Sequence, residues 1–308
     1  MHSTIACVNP DDVERAESRI RSHVRRTPTL ELDGVVLKLE LLQLAGSFKP
    51  RGAFNRVLAA AEIPPAGIIA ASGGNHGVAV AAVAADLGIR AEVFMPSTSP
   101  EIKRASIESF GASVTVVDGY YADAQRAADR RQATTGATPV HPYEHPHTIA
   151  GQGTMGRELD VEGIGFDTIL VACGGGGLIA GQAAWFGDRV KIVSVEPERS
   201  QCLRQALAAG RPVDVEVAGV AADSLGAPRL GDLAWELVER FVDDAVVVTD
   251  DAIRDAQRDL WRRTRLVVEP GGAAAWAALR SGRYVPDPSE RVVAVVCGSN
   301  CDPATVTR

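Results

Sequence analysis

The chain has 308 residues, of which 46% are hydrophobic and 23% are charged, and its net charge at pH 7 is -7. This composition is typical of a compact globular protein and excludes disordered and collagen-like chains. The acidic balance offers no basic footprint for a nucleic-acid backbone, and the apolar runs, such as 78–85, are far too short to span a bilayer. We therefore expect no nucleic-acid partner and no membrane partner.

The first predicted elements, a helix and a strand, come before Lys49 in the chain. Residues 11–25 have the pattern of a helix, which the Arg-Thr-Pro-Thr-Leu segment at 26–30 ends. Val35–Leu39 alternates as a strand does, and 48–61 becomes helical after its proline. Lys49 is therefore expected at a turn that opens a helix.

The middle of the chain alternates short apolar runs with alanine-rich helical patterns. Strands are predicted at 67–71, 91–95 and 114–117, with helices ending at 87 and spanning 100–110 and 122–134. After residue 151, strands are predicted at 168–172, 191–195, 245–248 and 291–297. This alternation predicts an α/β class with mostly parallel sheets. We place a small inserted domain at 67–141 and a large, discontinuous domain at 1–66 and 142–308.

The N-terminal segment and the cysteines indicate the cellular compartment in which the protein is expected. Met1–Pro10 has no basic segment followed by an apolar run, so the sequence predicts no secretory signal. The five cysteines are scattered without a CxxC pair, which makes a disulfide framework an unfavoured interpretation. We expect a cytoplasmic protein.

Lysine is rare in this chain, which has only Lys38, Lys49, Lys103 and Lys191. A lysine amine can lose its proton and attack a carbonyl group, whereas arginine cannot. Lys49 lies in the apolar, glycine-lined context Gly-Ser-Phe-Lys-Pro-Arg-Gly, which favours covalent chemistry; a surface lysine at a helix start is the alternative. Lys38 is expected to pair with Glu40, and Lys103 to lie on a polar helical face.

Two glycine-rich turns lie between a predicted strand and a predicted helix. Gly174–Gly177 follows the strand 168–172 and is typical of a phosphate cradle, because glycine lets backbone N–H groups converge on an anion at a helix N-terminus. A nicotinamide site is an alternative, with Glu196 as the ribose ligand, but the GxGxxG spacing does not fit. Ser72–His76 is a second such turn, whose amides could bind a carboxylate while Asn75 reaches a ring oxygen.

Several motifs together resemble the fold-type II pyridoxal-phosphate (PLP) family, with threonine dehydratase and serine racemase as its nearest members. They are Lys38-Leu-Glu40, Gln43, Gly46 to Ala53, Ser72 to His76, Gly151-Gln-Gly-Thr154, Gly174 to Gly177, Glu269-Pro-Gly-Gly272 and Cys297-Gly-Ser-Asn300. They run in the family's order over nearly the whole chain. The resemblance implies two three-layer α/β domains and PLP as the cofactor.

The resemblance also implies a role for each matching residue. Lys49 would carry the cofactor as a Schiff base and act as the catalytic base, with Phe48 against the ring, Asn75 at the ring hydroxyl and Cys297 beside the ring nitrogen. The phosphate would be held by Gly174, Gly175, Gly176 and Gly177. The substrate carboxylate would be received by Ser72, Gly73, Gly74, Asn75 and His76.

The function implied is elimination of water from L-threonine or L-serine, giving a 2-oxo acid and ammonia. A β-replacement, a racemase, or dehydration of hydroxyaspartate or a specialised amino acid is the alternative within the family. Racemases of the family carry a second serine where this chain has Gly73, which disfavours racemisation. The resemblance further implies a homodimer that takes a small amino-acid substrate.

No metal site is expected. Some relatives hold a divalent cation with a glutamate matched by Glu196, but Cys202 replaces their aspartate, and one carboxylate is a poor site for a hard cation. His141, His145 and His147 invite a zinc interpretation, but the prolines among them break a helical ligand spacing.

Overall fold

Ten strands form two sheets in the computed structural model, which describes residues 7–307. The strands are β1 (Thr29–Leu32), β2 (Val35–Lys38), β3 (Ile68–Ala71), β4 (Ala91–Pro96), β5 (Ser113–Val117), β6 (Thr138–Pro139), β7 (Thr168–Ala172), β8 (Lys191–Pro197), β9 (Asp244–Val248) and β10 (Val292–Val295). Part of the N-terminal segment on which the secretory-signal prediction rests lies outside the described residues.

Twelve α-helices connect and cover the strands within this range. They are α1 (Pro10–Ile20), α2 (Lys49–Leu58), α3 (Asn75–Leu87), α4 (Glu101–Ser109), α5 (Tyr121–Thr135), α6 (Pro146–Val161), α7 (Gly177–Phe186), α8 (Cys202–Ala209), α9 (Ala222–Leu225), α10 (Asp232–Phe241), α11 (Asp250–Thr264) and α12 (Pro270–Arg280). None of these helices is long and apolar enough to cross a membrane.

The larger sheet has the strand order β1-β2-β10-β7-β8-β9, and the smaller has the order β5-β4-β3-β6. All neighbouring strands are parallel except β1 and β2, which pair antiparallel from Thr29 opposite Lys38. Strands β7 and β10 are buried throughout, as expected for parallel strands covered on both faces. The predicted α/β class with mostly parallel sheets is confirmed.

Most predicted elements appear within a few residues of their expected bounds, and three differences have physical causes. Helix α1 ends at Ile20 rather than Arg25, because Gln43 donates to the Arg25 carbonyl at 2.6 Å and accepts from the Arg25 N–H at 2.8 Å. Strands β1 and β6 were not predicted. They have four and two residues, which is too short for a clear periodic signal.

The core of the smaller sheet includes residues from outside 67–141. The buried cluster on one of its faces contains Ile20 from α1 and Phe54 and Val57 from α2, alongside Val80 and Val93. Packing therefore joins the start of the chain to the smaller sheet, and the domain boundaries at 66/67 and 141/142 stay a prediction.

The loops that carry the predicted site residues follow the carboxyl ends of parallel strands. The glycine turn 174–177 follows β7, Cys297 follows β10, and Ser72–His76 follows β3. The segment 140–145 follows β6 and returns the chain to the larger sheet. In open α/β sheets this edge is where ligands bind, so the topology brings all of these loops to one region.

Candidate active site

Lys49 is the first residue of α2, and its side chain is partly buried. Its Nζ lies 3.3 Å from the Pro142 carbonyl oxygen and 4.9 Å from the centre of the Phe48 ring. Burial lowers the pKa of Lys49 to about 8, an effect that Cys297 and Glu269 partly offset. An amine with this pKa is partly unprotonated near neutral pH, which is the form that attacks a carbonyl carbon.

Phe48 and Cys297 lie beside Lys49 because the backbones of residues 47–48 and 297–298 are hydrogen-bonded to each other. The Phe48 N–H donates to the Cys297 carbonyl at 3.2 Å, and Ser47 forms an antiparallel bridge with Gly298. The Cys297 thiol is buried, donates weakly to the Gly271 carbonyl at 3.5 Å, and has its pKa raised by burial. Cys297 therefore presents a neutral thiol to this side of the site.

The glycine turn 174–177 packs against an aromatic ring. A Cβ atom on Gly175 would overlap the ring of Tyr143, and one on Gly177 would lie 2.8 Å from the Tyr143 Cβ. Gly176 adopts a φ of +89°, a left-handed conformation that other residues rarely adopt. The turn thus needs glycine for close approach and for conformation, and it leads directly into the N-terminus of α7.

Tyr143 was not among the predicted site residues. It follows Pro142, whose carbonyl accepts from Lys49, and it covers the glycine turn. The 141–147 stretch of prolines and histidines that contains it was considered in the sequence as a zinc site. Its position beside both Lys49 and the turn makes it part of the site wall.

The turn Ser72–His76 leads into the N-terminus of α3. The Ser72 hydroxyl oxygen accepts from the Gly74 N–H at 3.1 Å, which fixes the turn, and a Cβ atom on Gly73 would overlap Ser99. The His76 ring bonds the Val140 carbonyl at 2.7 Å, and burial lowers the pKa of His76 to about 3. His76 is thus a neutral link between loops, and its predicted contact with substrate stays a prediction.

The Asn75 side chain is held by two residues for which no role was predicted. Its Nδ2 donates to the Glu269 carboxylate, and its Oδ1 accepts from Asn300 Nδ2 at 3.0 Å. Glu269 and Asn300 lie in quoted motifs, but nothing in the local sequence shows that they meet Asn75. These contacts fix which way the Asn75 amide faces.

The expected pairing of Lys38 with Glu40 is wrong. Lys38 Nζ donates to the Thr27 carbonyl at 2.7 Å and to Glu158 at 2.9 Å, while Glu40 accepts two hydrogen bonds from Arg51. The chain leaves β2 after Lys38 and turns at Glu40–Leu42, so Glu40 does not continue the strand's face beside Lys38. The four charged groups form a buried cluster beneath the helix that begins at Lys49.

The expectation that Lys103 lies on a polar helical face is also wrong. Its side chain is 2% exposed, and its ammonium forms an ion pair with Asp223 and lies 3.6 Å from Glu269 Oε2. The side chains of the neighbouring Ile102 and Arg104 are more exposed than that of Lys103, because successive residues of a helix point in different directions. Lys103 is buried because α4 faces α9 and the start of α12, which sequence periodicity does not reveal.

Cys173, Cys202 and Glu196 form the one group of three possible metal ligands found within residues 7–307. Their ligand atoms lie within 4.8 Å of one another. Both Glu196 carboxylate oxygens accept backbone N–H groups at the start of α8, at 2.8 Å each, so Glu196 is not free to hold a ribose. Two thiols and one carboxylate do not suit magnesium or calcium, and the absence of a required cation stays a prediction.

The histidines of the 141–147 stretch bond the backbone. His141 Nδ1 accepts from the Glu144 N–H at 2.8 Å, and His145 Nδ1 accepts from the His147 N–H at 3.1 Å as the N-cap of α6. These nitrogens are therefore engaged in shaping the segment that carries Tyr143.

These residues combine an amine of lowered pKa with a glycine turn at a helix N-terminus. Such a combination suits a cofactor that carries a phosphate and a reactive carbonyl group. The chain belongs to a family that uses such a cofactor: the profile described as "Pyridoxal-phosphate dependent enzyme" matches residues 20–298. The cofactor is PLP, and the nicotinamide alternative is wrong.

Similar proteins of known name agree with this family. The chain is 35% identical over 310 residues to the L-threonine ammonia-lyase of Thermotoga maritima, covering 97% of this chain and 77% of that protein. It is 36% identical over 273 residues to the L-threonine dehydratase biosynthetic IlvA of Pasteurella multocida, covering 86% of this chain and 53% of that protein. The chain thus spans about half the length of that biosynthetic relative.

A solved structure confirms the fold. The structure of maize serine racemase superposes with a TM-score of 0.91 at 32% sequence identity, covering 97% of this chain and 95% of that chain. The predicted fold-type II architecture is confirmed.

Proposed function

We propose that the protein removes water from L-threonine or L-serine to give a 2-oxo acid and ammonia. The observation that carries this proposal is the Lys49 amine, whose pKa burial lowers to about 8 and whose Nζ contacts the Pro142 carbonyl, next to the Tyr143 ring that covers the glycine turn. The printed name of the T. maritima relative, L-threonine ammonia-lyase, supports the same reaction class.

The residues present fit PLP. The N–H groups of Gly174–Gly177 and the start of α7 would hold the phosphate, because the glycine turn has no side chains to block it and a helix N-terminus favours an anion. Asn75 would bond the ring hydroxyl, with Phe48 against the ring face. When bound, PLP supplies an electron sink that weakens the C–H bond at the α-carbon of an attached amino acid.

Lys49 would then take the proton from the substrate α-carbon. Because burial lowers the pKa of Lys49 to about 8, the amine holds that proton only loosely and can return it to the departing hydroxyl group. The N–H groups of Gly73, Gly74 and Asn75 at the start of α3 would receive the substrate carboxylate. These contacts orient the Cα–H bond towards Lys49.

The neutral thiol of Cys297 favours elimination over transamination. A buried thiol with a raised pKa stays protonated and gives a ring nitrogen no strong acid partner. Cys297 would thus leave the ring nitrogen neutral, and this setting would favour loss of the β-hydroxyl group over transamination. Gly73 provides no side chain to act from the opposite face of the substrate, which disfavours racemisation.

The test is release of 2-oxo acid by purified, PLP-loaded protein. L- and D-serine, L- and D-threonine, 3-hydroxyaspartate and diaminopropionate are offered separately, and D-serine formation from L-serine is measured in parallel. We expect turnover of L-threonine or L-serine, with loss of turnover and of borohydride-fixed cofactor in Lys49→Ala. Lys191→Ala, at an exposed lysine, is the matched control and should retain both.

Two outcomes would contradict the proposal in different ways. If no hydroxyamino acid is converted to an oxo acid while the visible spectrum of the protein still shifts with an amino acid, the dehydratase proposal fails. A β-replacement reaction then becomes the leading alternative. If Lys49→Ala still holds cofactor covalently, the assignment of Lys49 fails. The homodimer and the cytoplasmic location stay predictions, and sedimentation velocity of the loaded protein tests the first.

A further inference from the structure

The buried Lys103 side chain links the two sheets through ion pairs with the exposed Asp223 and the buried Glu269. It lies on α4, which packs on the smaller sheet, while Asp223 and Glu269 belong to α9 and to the N-cap of α12 beside the larger sheet. Among the ion pairs within residues 7–307, Lys103 is the one basic residue of 67–141 that pairs with acidic residues beside the larger sheet. The Lys103 and Glu269 side chains are each 2% exposed.

The Glu269 carboxylate connects Lys103 to the site. Its Oε1 accepts from Asn75 Nδ2, and the Asn75 Oδ1 accepts from Asn300 Nδ2 at 3.0 Å. An ionised carboxylate can only accept hydrogen bonds, so it requires the nitrogen end of the Asn75 amide to face it. The amide has two N–H groups, and the second remains available to a ligand.

The orientation of this amide depends on the charge of Glu269. Burial raises the pKa of Glu269, and the Lys103 charge opposes this shift. Without Lys103, a protonated Glu269 could donate as well as accept, so only the Asn300 contact would oppose turning of the Asn75 amide, and its oxygen could face the ligand. The ring hydroxyl that Asn75 is expected to contact would then lose its N–H donor.

We propose that Lys103 is a positioning residue: its ammonium keeps Glu269 ionised, and the ionised Glu269 holds the Asn75 amide with an N–H group available to the ring of bound PLP. This inference rests on the proposed placement of the ring beside Asn75 and does not depend on which amino acid is the substrate. It gives a functional role to Lys103, whose ion-pair partner Asp223 lies 120 residues away in the chain.

The test compares Lys103→Met with Lys103→Met/Glu269→Gln. The readouts are the ratio of the visible to the near-ultraviolet absorption band of bound PLP, which reports the protonation of the ring hydroxyl, and the dissociation constant of PLP. Losing a hydrogen bond to a charged ring oxygen predicts a PLP affinity about 10- to 100-fold weaker in Lys103→Met, with a larger near-ultraviolet band. Asn75→Ala should show the same band ratio.

The double variant separates charge from packing. The glutamine that replaces Glu269 in this variant cannot ionise, and it can either accept from Asn75 Nδ2 or donate to Asn75 Oδ1, so it does not hold the amide in one orientation. Because it leaves no unpaired buried carboxylate, the double variant should regain thermal stability relative to Lys103→Met, while its band ratio and PLP affinity should stay like those of Lys103→Met. Arg104→Met, on the exposed side of the same helix, is the matched control and should match the wild type in both readouts.

Two results would overturn the proposal. One is a Lys103→Met protein whose band ratio and PLP affinity equal those of the wild type while only its thermal midpoint falls, since Lys103 would then merely join the sheets. The other is a double variant whose band ratio and PLP affinity equal those of the wild type, since an ionised Glu269 would then not be needed, and this result decides the matter even if Lys103→Met alone is insoluble. Neither readout needs turnover, so a wild type that binds PLP but releases no oxo acid refutes only the proposed function.

Discussion

Arg51 is the residue whose replacement should weaken the fold most clearly, because it lies at the centre of a buried ion cluster. Its guanidinium donates twice to Glu40, at 2.7 Å each, and once to Glu158 at 2.6 Å. Arg51 and Glu40 are 2% and 0% exposed. Arg51→Met keeps an apolar stem but leaves the Glu40 carboxylate buried without its bidentate partner.

The cost can be estimated from the burial of the partner left behind. Removing one member of a buried ion pair costs about 3–5 kcal/mol. At roughly 2–4 °C per kcal/mol for a large domain, the thermal midpoint should fall by about 6–20 °C. Because α2 begins at Lys49, the same change should also weaken PLP binding.

The pH dependence gives a second signature. Burial alone would raise the pKa of Glu40, but the Arg51 charge and hydrogen bonds lower it below its ordinary value. In the wild type this carboxylate stabilises the fold above its unfolded pKa, and the contribution is lost as pH falls through the folded pKa. In Arg51→Met burial dominates and the folded pKa of Glu40 rises, so the deficit should be larger at about pH 8 than at about pH 5.

Thermal melts followed by circular dichroism at both pH values measure this effect. Arg56→Met is the matched control, because Arg56 lies later in the same helix and its buried Nε has no hydrogen-bond partner within residues 7–307. We expect the control to melt within about 2 °C of the wild type. If Arg51→Met melts no lower than the control at either pH, the buried cluster does not support α2 and the reasoning is wrong.

Three further predictions concern the site itself. Gly175→Ala should weaken PLP binding at least about tenfold in an equilibrium titration, because its Cβ would overlap the Tyr143 ring; Gly174→Ala, whose Cβ would lie 3.2 Å from its nearest neighbour, should have the smaller effect. In cofactor-free protein, the rate at which an amine reagent labels Lys49 should rise with pH with a midpoint near the lowered pKa of about 8, whereas a midpoint above pH 10 would contradict its burial. Burial raises the pKa of Glu196 to about 7, so the wild type should lose stability to urea as pH rises from about 5 to 8, and Glu196→Gln should lose this dependence.

The sequence predicted the elements of the site whose chemistry is local. The glycine turn 174–177, the Ser72–His76 turn and Lys49 each combine a strand end, a helix start and a distinctive residue type within a few positions. Their placement at the carboxyl ends of parallel strands then follows from the α/β class. Periodicity and turn chemistry are properties of neighbouring residues, so one sequence is enough to show them.

The sequence did not predict contacts between distant residues. Tyr143 covers the glycine turn from more than 30 positions away, and Glu269 meets Asn75 across 194 positions. Strand β6 has two residues, and its position is set by pairing with β3 rather than by its own pattern. Such contacts depend on packing of the two sheets, which no local pattern reports.

The four lysines show why this distinction matters for function. Lys38 and Lys103 are buried, and each forms an ion pair with a carboxylate 120 positions away in the chain. Lys191 is exposed. Lys49 is partly buried and has no carboxylate ion pair among residues 7–307, and burial lowers its pKa to about 8. The local sequence singled out Lys49 from its glycine-lined context, whereas its lowered pKa depends on burial without an ion-pair partner among the described residues, which only the folded chain sets. A carboxylate placed within ion-pair distance of Lys49 would keep the amine protonated and remove the property on which the proposed chemistry depends.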